Sequence, residues 1–175
     1  MAFPRAWKNA EEAAAAARDF LAASPPRRAA IRGLMADLLE GDPPARKRAA
    51  DVARRVCERD PAILRKYADV LIDLAAEIPL DEWQARVYVT LAAALSAPTH
   101  SQRMRLTVPV RALIAEERIA LRAAGLEAFA MLAAVEPQLR DEALELLEHA
   151  RHDTTPGIKA RSRRMLLLLM SSRIT

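Results

Sequence analysis

The sequence predicts an all-α protein, and three observations support this prediction. The chain of 175 residues is 52% hydrophobic but only 4% aromatic, and much of the hydrophobic share is alanine, the strongest helix former. Its 4 glycines are too few for the turns of a many-stranded sheet or for a set of phosphate-binding loops. Its 11 prolines fall mostly between stretches of helical apolar spacing, where proline marks the first turn of a helix. All-β folds and nucleotide-loop enzymes are therefore strongly disfavoured.

The prolines divide the chain into about nine predicted helices joined by short connections. Each helix carries one apolar stripe with the i, i+3, i+4 spacing of a buried helix face. The predicted ranges are 9–23, 26–40, 44–58, 61–77, 81–96, 100–116, 118–135, 138–151 and 157–171. The stripe is clearest in two of them, as Leu64, Tyr67, Leu71, Leu74 and Ile78, and as Leu139, Ala143, Leu146, Leu147 and Ala150.

Polar residues at the helix starts agree with these limits. Asp42, Asp60, Asp81 and Thr99 each precede a predicted helix, where a side-chain oxygen can accept a hydrogen bond from the free N–H groups of the first turn. Pro109 is the exception, because it lies inside the predicted sixth helix and lacks the N–H that a helix interior needs. We expect it to kink that helix or to split it into two pieces.

Grouping the helices in pairs exposes a repeat. The first helix of each pair carries an arginine followed by small or apolar residues, and these arginines recur at intervals of 36 to 40 residues, as Arg46, Arg86, Arg122 and Arg161. This pattern resembles the HEAT repeat family, whose units are helix hairpins of about 40 residues. The resemblance covers 43–171 of a single domain 1–175, as units 43–78, 81–116 and 118–151, a half unit 157–171, and a degenerate N-terminal hairpin 1–42.

The resemblance implies a right-handed α-solenoid of antiparallel helix hairpins that stack side by side. It also implies a non-enzymatic protein-binding role, as an adaptor, scaffold or regulatory subunit. The partner would bind on a concave face lined by the second helices, 61–77, 100–116 and 138–151. The candidate partner-binding residues on this face are Arg65, Lys66, Asp69, Asp73, Arg103, Thr107, Arg111, Asp141 and Glu145.

These candidates form a mixed, a basic and an acidic row. Arg103, Thr107 and Arg111 are spaced by four and so share one side of their helix, and arginine suits two-point contacts with carboxylates or phosphates. We expect alanine at both arginines to weaken a partner complex while leaving the melting temperature nearly unchanged. The alternative is that all three rows are ordinary solvated helix faces.

A nucleic-acid-binding or DNA-repair role is the alternative function. It would use Arg105 and the two arginines just named, together with the basic C-terminal helix. The net charge of only +4 and the alternation of acidic and basic residues disfavour it, because such proteins concentrate basic residues on one face. Trp7 and Trp83 lack interleaved basic residues and suit packing better than base stacking. The simpler interpretation of the C-terminal helix is that it balances the acidic helix 138–151.

No catalytic constellation is evident in the sequence. Gly-x-Ser-x-Gly and Walker-type runs do not occur, and His149 and His152 with nearby Glu145 and Glu148 fall short of the usual inward-facing metal set. We therefore predict no enzyme activity, no metal and no cofactor. Cys57 has three arginines close by in sequence, and their charge could activate its thiol. A buried, inert thiol is the alternative.

The expected location is the cytoplasm. Cys57 is the only cysteine, so the chain cannot form an intramolecular disulfide and needs no oxidising compartment. The segment 1–21 is amphipathic and carries three acidic residues, which fits neither a signal peptide nor a membrane span. The apolar run 165–170 is too short to cross a bilayer. We expect no association with a membrane.

Overall fold

The computed structural model of the chain describes residues 10–22 and 27–171. Every regular element within those residues is helical, and no strand occurs among them. Trp7 and the predicted helix limits at residues 9, 23 and 26 lie outside the described residues. The chain divides into two compact units, Met1–Ser96 and Ala97–Thr175. This division separates the two helices of the predicted repeat 81–116, so that one belongs to each compact unit.

The first compact unit is built around its third helix. Its described residues form α1 (Ala10–Ala22), α2 (Arg27–Leu39), α3 (Pro43–Arg59), α4 (Ala68–Glu77) and α5 (Trp83–Ser96). The central helix α3 packs against α1, α2 and α5, and α4 packs against α5. The apolar stripes meet in a core of side chains that have no exposure to solvent, among them Leu34, Leu38, Val52, Val56, Leu64 and Leu71.

The second compact unit is built around its second helix. Its described residues form α6 (His100–Ile114), α7 (Ile119–Val135), α8 (Arg140–Arg151) and α9 (Pro156–Ser171). The central helix α7 packs against α6, α8 and α9, and α8 also packs against α9. Because α7 is covered on three sides, its buried residues form an almost continuous run rather than a stripe. The largest buried side chains of this unit include Leu106, Leu113, Phe129, Leu132 and Leu169.

The described residues contain all nine predicted helices, and all but the fourth begin and end within two residues of the prediction. The fourth begins late, because two turns of 3-10 helix, Pro61–Ile63 and Arg65–Tyr67, precede the start of α4 at Ala68. Leu64 lies between these turns and is fully buried. The apolar stripe that begins at Leu64 is therefore correctly predicted, although the first part of that stripe is not α-helical.

The predicted N-caps before α3 and before residue 61 are confirmed. A carboxylate oxygen of Asp42 accepts the backbone N–H of Ala45 at 2.8 Å. A carboxylate oxygen of Asp60 accepts the backbone N–H of Ala62 at 3.1 Å. Each carboxylate satisfies an N–H that has no partner within its own helical turn.

The predicted N-cap before α6 is also confirmed, whereas the one before α5 is wrong. The Thr99 hydroxyl oxygen accepts the backbone N–H of Gln102 at 3.2 Å, and the Gln102 side-chain oxygen accepts the backbone N–H of Thr99 at 3.3 Å. This reciprocal pair is a capping box. Asp81 instead lies inside a 3-10 turn, Leu80–Glu82, and only accepts the N–H of the residue after it.

Pro109 does not split its helix. The helix α6 runs unbroken from His100 to Ile114 with Pro109 in its interior, so the predicted division into two pieces is wrong. Pro109 is itself buried, and it lies among Leu106, Val110 and Leu113, which are fully buried. Packing of this apolar face against α7 holds the helix together across the one hydrogen bond that proline cannot make.

The helices α6 and α7 approach each other closely at Gly125. A Cβ atom at this position would lie 2.8 Å from both the backbone nitrogen and Cγ1 of Ile114, and 3.0 Å from Cβ of Leu113. Contacts this short involve backbone and branched side-chain atoms that cannot rotate away. Glycine is therefore required here for space, and its φ angle is an ordinary helical one.

Candidate functional site

The repeated arginines of the first helices have a structural role in the first compact unit. Arg46 donates a hydrogen bond from Nε to the carbonyl oxygen of Leu38 at 3.1 Å and from Nη2 to that of Gly41 at 2.9 Å. Arg86 donates from Nη1 to the carbonyl oxygen of Ile78 at 3.2 Å. In both cases the arginine reaches back eight residues and satisfies a carbonyl at the end of the preceding helix.

Ion pairs link helices that are distant in sequence. Arg46 Nη1 donates to both carboxylate oxygens of Glu82 at 2.6 and 2.7 Å, which ties α3 to the turn before α5. Arg122 Nη2 lies 3.0 Å from Asp153 Oδ2, which ties α7 to the residues after α8. Three of the four arginines that define the repeat, including Arg161, thus form ion pairs within their own unit.

Arg103, from the predicted basic row, is part of a buried ion pair. Its Nε lies 2.6 Å from Glu136 Oε1, and its Nη1 donates to the carbonyl oxygens of Ala97 and Pro98 at 3.2 and 2.7 Å. His100 Nδ1 lies 2.8 Å from the other oxygen of Glu136, a residue that is only 4% exposed. Removal of Arg103 would leave this carboxylate with too few partners. We therefore expect alanine at Arg103 to lower the melting temperature, in place of the expectation that alanine at both arginines leaves it nearly unchanged.

The environment of Glu136 keeps its carboxylate charged. Burial by itself raises the pKa of Glu136, but the hydrogen bonds and charges of Arg103 and His100 outweigh it and hold the pKa below its ordinary value. The position just after α7 lets the carboxylate meet the side chains of His100 and Arg103 at the start of α6. No local sequence pattern indicates this pairing, because the partners are 33 and 36 residues apart.

Thr107 and Arg111 complete the predicted basic row; Thr107 is buried, and Arg111 is exposed but paired within the unit. Thr107 is 2% exposed, and its hydroxyl donates to the carbonyl oxygen of Met104 at 2.7 Å and accepts from Arg111 Nη1 at 3.2 Å. The Arg111 guanidinium donates to both oxygens of Glu142 on α8 at 2.8 and 2.7 Å, and it lies 5.4 Å from the ring centre of Phe129. The hydrogen bond from Arg111 lowers the pKa of Glu142.

The other candidates lie on exposed surfaces in both compact units. Arg65, Lys66, Asp69 and Asp73 are exposed in the first unit, the first two in a 3-10 turn rather than in α4. The Lys66 ammonium lies 4.7 Å from the ring centre of Tyr67. The remaining two, Asp141 and Glu145, are exposed on α8 in the second unit. Whether any of the nine contacts a partner stays a prediction.

The exposed face of α6 lies next to the predicted basic row. Leu106, Val110 and Leu113 are buried, which turns Arg105, Val108 and Ala112 outward, where all three are exposed. We define the α6/α8 surface as these three residues together with Asp141 and Glu145. The two helices are joined by the Arg111–Glu142 pair. Sequence reasoning missed Val108 and Ala112 because it selected polar residues, although their i, i+3, i+7 spacing with Arg105 was visible.

Cys57 is fully buried, as the inert alternative requires. Burial is the main cause that raises the pKa of its thiol to about 12, the charge of Glu58 adds to the rise, and a hydrogen bond with Ser96 opposes it. The neighbouring Arg54 and Arg55 pair with Asp51 at 2.8 and 3.1 Å. Two of the three arginines near Cys57 in sequence are therefore paired with a carboxylate.

A thiol reagent should label Cys57 only when the protein unfolds. Because the thiol is buried and protonated, we expect its reaction with a mild disulfide reagent at pH 8 to be at least about 100-fold slower in the folded than in the denatured protein. Absorbance of the released thiolate follows the reaction. Fast, stoichiometric labelling of the folded protein would contradict this assignment.

Three further findings concern metal binding, membrane crossing and Trp83. Across residues 10–22 and 27–171, no group of three or more His, Cys, Asp or Glu side chains is placed so that it could hold a metal ion. The helices in the same residues are each too short or too polar to cross a membrane. Trp83, at the start of α5, is partly buried.

Comparisons with known proteins do not identify a relative. No family model matches the chain, and neither a curated protein nor a solved structure matches it.

Proposed function

We propose that the protein is a HEAT-like helical-repeat protein that binds another protein and does not catalyse a reaction. The observation that carries the proposal is the way the helices pack within each unit. In the first unit, α3 contacts α1 and α2, and α5 contacts α3 and α4. In the second unit, α7 contacts α6, and α9 contacts α7 and α8. Thus α3, α5 and α9 each pack on the helix before them and on the preceding odd-numbered helix of the same unit, as stacked hairpins do.

The hydrogen bonds of the repeated arginines support the same proposal. Arg46 and Arg86 are 40 residues apart, and each caps a carbonyl eight residues earlier at the end of the preceding helix. The same bond at equivalent places in two successive hairpins is what a repeated structural unit requires. This regularity favours a repeat protein over an unrelated helical bundle.

The α6/α8 surface is the proposed binding site for the partner. Val108 is 70% exposed, so a large apolar side chain faces solvent within α6. The same surface carries charged residues of both signs, namely Arg105, Asp141 and Glu145, and all three are exposed. An apolar contact within a charged rim is typical of protein–protein interfaces.

The ion pairs of the second unit favour a protein partner over nucleic acid. Arg103 and Arg111, on which the nucleic-acid alternative depends, are matched by Glu136 and Glu142. The exposed residues of α8 nearby are acidic and would repel phosphates. Cys57, whose thiol the nearby arginines could have activated, is buried and has a raised pKa, so it does not favour the enzyme alternative.

Affinity capture with a surface variant tests this proposal. We expect Val108→Glu to reduce recovery of the partner protein from the cells of origin at least about 10-fold, because a charge replaces an apolar contact at the interface centre. The matched control is Val135→Glu, at the exposed end of α7, which should bind as the wild type does. Recovered proteins are identified by mass spectrometry at low and at moderate salt, and circular dichroism confirms equal helicity.

Two outcomes of this experiment would contradict the proposal. Equal recovery of the same partner by the Val108→Glu and wild-type proteins would show that binding takes place elsewhere. Recovery of nucleic acid alone, lost as salt is raised, would favour the nucleic-acid alternative, because phosphate binding weakens steeply with salt.

A further inference from the structure

Three basic side chains and one histidine line an open cavity in the second compact unit. Arg151 and His152 come from the C-terminal end of α8, and Lys159 and Arg163 come from α9. The cavity has a volume of about 510 Å³. No carboxylate is among its lining residues, so the charges of Arg151, Lys159 and Arg163 repel one another unless an anion binds between them.

The basic residues of α9 fall into two sets with different surroundings. Arg161 and Arg164 both pair with Glu127 of α7, at 3.4 and 2.6 Å. We expected the basic charges of α9 to be balanced by acidic α8, but those of Arg161 and Arg164 are balanced by α7 instead. Lys159 and Arg163 lie one turn apart on α9 and share the side that lines the cavity. Within the described part of the chain, Arg163 has no carboxylate partner.

The two carboxylates nearest in sequence to the cavity are already engaged. Asp153 Oδ2 lies 3.0 Å from Arg122, and Asp153 Oδ1 accepts the backbone N–H of Thr155 at 2.7 Å. Glu148 lies 3.2 Å from Arg151, and both side chains of that pair are about half exposed. Water weakens an exposed pair of this kind, so Arg151 can exchange Glu148 for a more strongly charged ligand.

We propose that this cavity binds a small molecule that carries a phosphate group. The fork of Arg163 suits two-point contact with phosphate oxygens, and Lys159 adds a compact positive charge one turn away. The volume is within the range of small-molecule sites and leaves room for an organic part beside a phosphate group. An extended polyanion fits less well, because Asp141, Glu145 and Glu148 are exposed along α8.

Titration of paired variants with inorganic pyrophosphate tests the proposal. Calorimetry at constant ionic strength should show saturable binding to the wild-type protein, and amide shifts in 15N NMR spectra should concentrate in residues 151–163. We expect Lys159→Ala with Arg163→Ala to weaken binding at least about 10-fold through the loss of two charge-assisted contacts. Arg28→Ala with Lys47→Ala removes the same charge from exposed positions on α2 and α3 and should leave the affinity unchanged.

Three results would overturn the proposal. The first is the absence of saturable pyrophosphate binding to the wild-type protein. The second is equal weakening in both double variants, because only the net charge would then matter. The third is that a single-stranded oligonucleotide binds while pyrophosphate does not, and that the binding of the oligonucleotide depends on Lys159 and Arg163. Because α6 and Val108 take no part in this cavity, failure here leaves the proposed protein-binding function standing.

Discussion

Replacement of Arg103 by methionine should lower the free energy of unfolding by about 3 kcal/mol, because Glu136 would be left buried without its main partner. The value is at the lower end of the range for broken buried pairs for two reasons. His100 still contacts the carboxylate, and water can approach the carboxylate beside His100, whose side chain is exposed. Urea unfolding followed by circular dichroism measures the change. Arg105→Met on the exposed side of the same helix is the matched control and should change stability by less than about 0.5 kcal/mol.

A double variant separates the ion pair from general damage to the helix. Arg103→Met combined with Glu136→Leu removes both charges, and two apolar groups of similar size often restore the stability that a broken pair loses. We expect the double variant to be more stable than the Arg103→Met variant. If the effects of the two single changes simply add, the two residues do not interact and the assignment of the pair is wrong.

The pH dependence of this double variant provides an independent check. The pKa of Glu136 is lowered in the folded protein from an ordinary value of 4.5, so its charge contributes stability above pH 4.5, and this contribution is lost as the pH falls through the lowered folded pKa. The wild-type protein should therefore lose stability faster on acidification below pH 4.5 than the double variant does. Glu142 also has a lowered pKa, but it is present in both proteins and cancels. Parallel curves would contradict the lowered pKa of Glu136.

Gly125→Ala should destabilise the protein by about 2 kcal/mol, although alanine is the better helix former. Alanine gains about 1 kcal/mol over glycine in a helix, but its Cβ would lie 2.8 Å from the backbone nitrogen of Ile114, and forced overpacking costs up to about 3 kcal/mol. The two helices must therefore separate or shift. Urea unfolding of the variant measures the net loss.

Gly157→Ala is the control for this prediction. Gly157 also lies in a helix, in the first turn of α9, but a Cβ there would meet no atom within 4 Å. We expect this variant to be as stable as the wild-type protein or more stable by about 0.5 kcal/mol, since alanine restricts the unfolded chain. Equal stabilisation by both substitutions would show that α6 and α7 do not touch at Gly125.

The helices could be predicted from the sequence because their signals are local. Proline, the capping residues Asp42, Asp60 and Thr99, and the apolar spacing all act within a few residues of a helix end. Of the two outcomes expected at Pro109, a kink or a split, the split does not occur, because packing of α6 against α7 opposes it and comes from a more distant part of the chain. The same reason explains the late start of α4, where two 3-10 turns bury Leu64 before the α-helix begins.

The surfaces were less predictable, because a charged residue does not reveal whether its partner is water or another side chain. Arg103 and Arg111 have the spacing of an exposed ridge, but Glu136 and Glu142, which lie more than 30 residues later, pair with both arginines. The bases of α9 look uniform in the sequence, yet Glu127 takes two of them and leaves Lys159 and Arg163 at the cavity. Only the packing of α7, α8 and α9 decides this division.

The backward reach of Arg46 and Arg86 affects how the chain folds during synthesis. Each arginine bonds to a carbonyl eight residues before it, and so to a part of the chain that the ribosome has already released. Domains generally fold from the N-terminus as they emerge, and these two hydrogen bonds do not depend on any residue that has yet to be synthesised. The carbonyl group at the C-terminal end of α2 can therefore receive its arginine hydrogen bond as soon as the first turn of α3 leaves the ribosome. The carbonyl group of the residue that follows α4 can do the same once the first turn of α5 has emerged.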